Sequence, residues 1–200
     1  DYLSIWIEDA AAPRDEARVI ALASDFLRKY PSSAVQSDVR LKLAEVHYRR
    51  QDFASAQTQF ELLAQRNSAS PIAEKAQFFA AQAAKQSMGT ASLERALVLF
   101  DGVVKQTGAL KWAARNEQAV IERKLGKPED AITLYDEVLK GDAPAAAKRE
   151  ALCGKADIFY ELGAAQPENY KRAMQLYDQL AGEREAGSHW RNQALFKKGM

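Results

Sequence analysis

Two hundred residues with 47% apolar content suffice for one globular domain or one short repeat array, and are too apolar for wholesale disorder. The 28 Lys and Arg are matched by 27 Asp and Glu, for a formal charge of +1. The two signs are interleaved, which argues against a dedicated nucleic-acid binder with its clustered basic excess.

Good helix formers dominate, Gly and Pro are sparse, and no alternating β-branched run of useful length occurs, so the chain reads as all-helical. Tyr2, Leu3, Ile5, Trp6 and Ile7 suit an opening helix packed on the hairpin after it. Helices are then predicted over about 14–29 (Pro13 at the first turn, Tyr30-Pro31-Ser32-Ser33 as the stop), 34–50, and 53–66 after a Gln51-Asp52 turn. Others follow at about 71–87, 92–106, 110–125, 128–140, 144–162 and 168–181, punctuated by Pro71, Gly108, Gly126, Pro128, Gly141 and Gly163, with a last one starting near Ser188. Short connections force antiparallel neighbours. No Pro- or Ser-rich linker divides the chain, so residues 1–200 read as one continuous array. Asp1 is not an initiator methionine and Met200 falls inside a helical pattern, so the chain is expected to be a fragment of a longer protein. No run nears the ~18–20 apolar residues of a membrane-spanning helix.

Four times an alanine is followed four residues later by an aromatic and three after that by Leu or Val: Ala56/Phe60/Leu63, Ala96/Phe100/Val103, Ala131/Tyr135/Val138 and Ala173/Tyr177/Leu180. Intervals of 40, 35 and 42 residues separate the alanines, a period that signals stacked helical hairpins. The small residues let two helices approach closely, and the large ones fill the gap between hairpins.

The segment Leu43-Ala44-Glu45-Val46-His47-Tyr48-Arg49-Arg50-Gln51-Asp52-Phe53, followed by Ala56 and Phe60, resembles a tetratricopeptide repeat (TPR). Phe79-Ala80, Ala119, and Ala156 with Phe159 and Gly163 take the corresponding positions in later repeats. Arg40 departs from the pattern where a bulky apolar residue is usual, His47 where Tyr is common, and Gln118 where Leu is usual. The register gives repeats at approximately 37–68, 73–108, 112–142 and 149–183, with partial repeats at 14–31 and 188–200. The uneven intervals place insertions in lengthened turns near Ser87–Ala91 and Gly163–Pro167. The resemblance implies a right-handed α-solenoid of antiparallel hairpins, a TPR-like superhelix. Phe26-Leu27-Arg28-Lys29-Tyr30-Pro31-Ser32-Ser33 further resembles hairpin endings of bacterial envelope TPR proteins of the outer-membrane assembly lipoprotein and Tol–Pal accessory type. That implies a periplasmic or envelope-associated setting, with the cytoplasm as the alternative.

In this family the first-helix faces line a concave groove. Carrying the register over implies Leu41, Glu45, Tyr48, Arg49, Gln77, Lys85, Asn116, Arg123, Lys124, Asp157, Tyr160 and Glu161 as partner-contacting residues. A solvated face without a ligand is the competing reading. Arg123-Lys124 near one end and Asp157/Glu161 near the other suggest opposite local potentials. No catalytic motif and no phosphate-cradling glycine loop occurs, and His47 and His189 have no metal-ligand spacing. His47 reads as packing, His189 as a cap or surface residue, the lone Cys153 as a buried small side chain, and Glu183/Glu185 as solvated. Trp112 and Trp190 read as inter-repeat packing, and Trp6 is a further candidate contact. The expectation is therefore a non-catalytic scaffold for a protein or peptide partner, with no cofactor, no metal and no nucleic acid. The alternatives are a structural spacer or oligomerisation module, and a helical accessory domain of an enzyme.

Overall fold

The computed structural model describes residues 1–66, 71–87, 89–182, 192, 194–197 and 199. Ten helices run through them: α1 (Tyr2–Ala10), α2 (Glu16–Lys29), α3 (Gln36–Arg49), α4 (Phe53–Arg66), α5 (Pro71–Gln86), α6 (Thr90–Lys105), α7 (Lys111–Lys124), α8 (Pro128–Lys140), α9 (Ala145–Leu162) and α10 (Glu168–Gly182). No strand occurs among the described residues. The all-α expectation holds, and so do the breaks. Pro128 opens α8 as predicted, whereas α2 starts after Pro13, because the Asp15 carboxylate caps it by accepting the Arg18 N–H at 2.9 Å. His189, Trp190, Glu183, Glu185 and the predicted start of a further helix at Ser188 lie outside the described residues.

One of the two expected insertions takes a different form. Helix α5 ends at Gln86 and α6 starts at Thr90, the same separation as between α3 and α4, so the turn near Ser87 is not lengthened. The extra residues lengthen the helices: α6 begins six positions before Ala96, whereas α4 and α8 begin three positions before Ala56 and Ala131. Added helical turns keep backbone hydrogen bonds that a longer loop would have to find elsewhere. The second insertion is a loop, residues 163–167 between α9 and α10.

The helices group into two compact units, Asp1–Leu110 and Lys111–Met200. In the first, each of α1 to α6 packs on the next. Ile5, Val19, Ala23, Phe26, Val39, Leu43 and Val46 form the core of α1–α3. Ala44 and Ala56 are both fully buried, consistent with close approach of α3 and α4. The buried face of α5 is nearly all alanine (Ala73, Ala76, Ala80, Ala81, Ala83, Ala84), which lets α4 and α6 close in on it. Helix α1 is held by charge as well as by Ile5. The Asp9 carboxylate accepts Lys42 Nζ at 3.0 Å and Arg49 Nη2 at 2.6 Å, and Arg49 Nε reaches Glu16 of α2 at 3.1 Å. Burial pushes the Asp9 carboxyl up, but hydrogen bonds from Arg49 and Lys42 outweigh it and hold the group below its ordinary value.

In the second unit α7, α8, α9 and α10 pack in sequence, and α7 also touches α9, so the first helices of successive hairpins lie side by side. Ala119, Ala131, Ala156 and Ala173 are fully buried, and Tyr135 and Tyr177 are the largest side chains enclosed among the described residues. Gly154, in the middle of α9, leaves room for the Tyr135 ring, since a β-carbon there would collide with it. Trp112 packs into the same core against Gly141. Cys153 is buried, and burial, then the Asp157 charge, push its thiol up to about 11. Ala194 joins the α9–α10 core.

Three outcomes are expected. Gly154→Ala should destabilise the second unit by about 1–3 kcal/mol in a urea titration, despite alanine's better helix propensity, because the ring must move. Cys153 should resist iodoacetamide at pH 8 in the native protein and react readily in urea. Asp9→Asn should cost about 1–2 kcal/mol at pH 7. The Asp9 contribution is present above the unfolded carboxyl value near ~4 and is lost as pH falls through the lower folded value, so the gap between wild type and variant should shrink at pH 3.

Candidate functional site

On α3 the core takes Val39, Leu43 and Val46, which leaves a second face at i, i+4, i+7 and i+8. That face carries Leu41, Glu45, Tyr48 and Arg49. Across from it, α5 presents Phe78, Phe79 and Gln82, and Phe60 of α4 closes the floor. Together they line a cleft of about 450 Å³. Its wall is a chain of rings: Phe60 stacks on Phe79 at 5.6 Å, Phe79 meets Phe78 at 6.0 Å, and Phe78 meets Phe100 edge-on at 5.4 Å. Phe79 stays 46% exposed although its neighbours are apolar. Leu41 and Glu45 also border an adjoining recess of about 270 Å³ with Tyr2, Trp6, Asp38 and Lys42.

The charges around the cleft are held in place. Lys42 bridges Glu45 at 3.1 Å and sits 5.0 Å from the Trp6 ring centroid, while Arg49 is fixed by Asp9 and Glu16. Tyr48 leans edge-on against Phe53 at 5.3 Å. The result is an apolar slot with an ordered polar rim, suited to a bulky apolar side chain of a partner whose backbone meets the rim.

Four of the twelve sequence-assigned residues, Leu41, Glu45, Tyr48 and Arg49, therefore share one cleft. Gln77 does not join them. Its Nε2 donates to the Leu99 carbonyl at 3.2 Å and its Oε1 accepts from Gln106 at 2.7 Å, which turns it toward α6. Lys85 is half-buried further along α5, away from the cleft lining. In the second unit, Asn116 is expected on an open face but is fully buried: its Nδ2 donates to the Ala147 carbonyl at 2.9 Å and to Glu150 at 3.0 Å, which fastens α7 to α9.

The expected separation of opposite potentials is also corrected. Arg123 hydrogen-bonds Glu161, with Nε to Oε2 at 2.9 Å, and lies 3.9 Å from Asp157. The Glu161 hydrogen bonds outweigh burial and raise the Arg123 guanidinium's pKa. Asp157 also accepts the Tyr177 hydroxyl and pairs with Lys197 at 3.3 Å. Because α7 and α9 pack side by side, residues that look distant in sequence neutralise one another. Lys124 is exposed beside this network, and Tyr160 packs edge-on against Tyr170 at 5.3 Å.

Phe78, Phe79 and Gln82 are the cleft residues that the repeat register does not pick out, although Phe79 enters it as a packing residue. A signal was present. Two adjacent aromatics on a helix point ~100° apart, so both cannot face one core stripe. His47 is half-buried at the first hairpin turn, its Nδ1 2.9 Å from Asp52 Oδ2. Among the described residues no group of His, Cys, Asp or Glu is arranged to hold a metal ion, and no helix is long and apolar enough to cross a membrane.

No protein-family model matches the chain, and no curated protein matches it. Among solved structures it is similar to the crystal structure of a thermophilic TPR protein from Thermus thermophilus, with a TM-score of 0.58 and 14% identity over 92% of this chain and 91% of that one. At that identity the likeness establishes the fold, a TPR-like α-solenoid of helix hairpins.

Proposed function

We propose that the chain is a non-catalytic interaction module that receives a protein or peptide segment in the α3–α5 cleft, within a bacterial envelope complex. The observation that carries the reading is the aromatic-walled cleft of about 450 Å³ with Phe79 left 46% exposed in it. Large aromatics at the centre of a recess with a polar rim are the usual anchors of a protein interface. Folds of this type generally mediate protein–protein contacts, which supports the same reading. The envelope setting rests on the likeness of Phe26–Ser33 to hairpin endings of envelope TPR proteins.

A second reading, self-association, has one observation in its favour. Leu3 and Ile7, one turn apart on α1, are each 68% exposed. Association through that face would show as mass that grows with concentration and is abolished by Leu3→Lys.

The cleft reading is tested with a photo-crosslinking residue in place of Phe79, and at Val98 as an exposed control outside the cleft (61% exposed). Position 79 should give a discrete protein adduct that position 98 does not, recovered with the envelope fraction. Tyr48→Ala should weaken that binding by roughly tenfold or more, as loss of an anchoring aromatic does. Equal adducts at both positions, or an adduct unaffected by Tyr48→Ala, would defeat the cleft assignment. An adduct recovered only from the cytoplasm would defeat the envelope setting alone.

A further inference from the structure

The aromatic cleft has a neighbour. The recess walled by Tyr2 and Trp6 of α1 shares Leu41 and Glu45 with it. Those two residues, one turn apart, form a ridge along α3. Asp38 and Lys42 join them on one flank, Tyr48 and Arg49 on the other. The two hollows, of about 270 and 450 Å³, therefore adjoin as one groove across α3. Four charged side chains line it, two of each sign, but the signs are not equally available. Lys42 and Arg49 are turned onto Asp9, at 3.0 and 2.6 Å, and Arg49 also onto Glu16 at 3.1 Å. Arg14 stands 3.6 Å from Asp9 and lines neither hollow. The acids of the lining face outward. Glu45 shares Lys42 at 3.1 Å, yet its side chain is 42% exposed against 18% for Lys42. Asp38 is exposed and has no cation within ion-pair distance among the described residues. The groove thus offers aromatic walls, an aliphatic ridge and two carboxylates, while its own cations are neutralised by acids outside the lining.

We propose that this groove selects a basic amphipathic segment of its partner. A bulky apolar side chain enters the α3–α5 cleft, and a neighbouring Lys or Arg lies in the α1–α3 recess with its charge at Asp38 and Glu45. The proposal rests on the cleft reading and adds the chemistry of the partner. A long basic side chain suits the recess in two ways. Its methylene stem covers apolar surface at Leu41 and Tyr2, and its head stays near water at the exposed carboxylates. An acidic side chain in the same place would meet two carboxylates, and for attraction only a lysine already shared by Asp9 and Glu45. Such matching acts mainly by speeding association and rejecting acidic competitors.

The test pans a library of random peptides displayed on phage against the whole chain. Enriched peptides should pair a bulky apolar residue with Lys or Arg, and their affinity should fall as NaCl is raised. Asp38→Asn combined with Glu45→Gln, both outside the core, should weaken them roughly fivefold, the loss of two solvent-facing ion pairs, and should flatten the salt dependence. Enriched peptides that are acidic or uncharged would overturn the basic partner. So would peptides that Tyr48→Ala weakens but the double variant does not; both results leave the cleft reading standing. Peptides unaffected by Tyr48→Ala, or no enrichment at all, would overturn the cleft reading and this proposal together.

Discussion

The constraint on which both units depend is the close approach of helices at alanine. Ala44 and Ala56 in the first unit, and Ala119, Ala131, Ala156 and Ala173 in the second, have no exposed surface. An alanine at a crossing contributes little burial of its own, but it sets how near the helix axes lie. That distance decides which side chains the neighbouring positions can hold. Phe60, Phe100, Tyr135 and Tyr177, each four residues after a repeat alanine, then fill the space between hairpins. Enlarging the alanine would push the helix away and strand the aromatic, so the two positions act as one unit of packing.

The same constraint creates the cleft. With its buried stripe made of alanine, α5 sits deep between α4 and α6 and has no room on that side for the rings of both Phe78 and Phe79. One ring of the pair, Phe78, meets Phe100. The other is left against Phe60 with nearly half its surface uncovered. A small-residue helix in a hairpin array that also carries adjacent phenylalanines thus produces an aromatic-walled slot. The electrostatics are subordinate to this geometry. Asp9, Glu16, Lys42, Glu45 and Arg49 pair among themselves and keep the rim in one arrangement. The slot is therefore preformed, and a ligand would not have to order those side chains on binding.

The parts of the fold that could be read from the sequence are those governed by local chemistry. Helix starts at Pro71 and Pro128 depend on the proline ring, and the turn at Gly126, with φ of 76°, on the missing β-carbon. The alanine–aromatic register was legible because one side chain of each type must recur in every hairpin. The features that escaped depend on facing helices. Asn116 sits at a position that would be exposed on an isolated hairpin, and only the packing of α7 against α9 buries it. Arg123 and Glu161 are far apart in sequence, and the same packing turns two supposed potentials into one neutral cluster. Gln77 adjoins Phe78 in sequence, yet one residue is a rotation of ~100° on a helix, enough to send it to the α6 side. The insertion before Ala96 shows the same limit from another direction. A count of residues cannot distinguish a longer loop from a longer helix, because either restores the register.

Arg40 brings these arguments together. A repeat array tolerates a departure from its pattern only where nearby groups can satisfy what the new side chain brings. At Gln118, the other polar replacement of an apolar position, its own helix does so: the side chain is buried and its Oε1 accepts from Arg115, one turn earlier on α7, at 3.0 Å. At Arg40 the surroundings are only half-adapted. Gln59 meets one amino group, and among the described residues no acceptor meets the buried Nε. Were the position purely structural, an apolar residue would fill it without the cost of desolvating a guanidinium. Were it a purely internal ion pair, an acid in place of Gln59 or Gln36 would complete it. Neither holds, so part of the cost of burying the Arg40 guanidinium stays without compensation among the described residues.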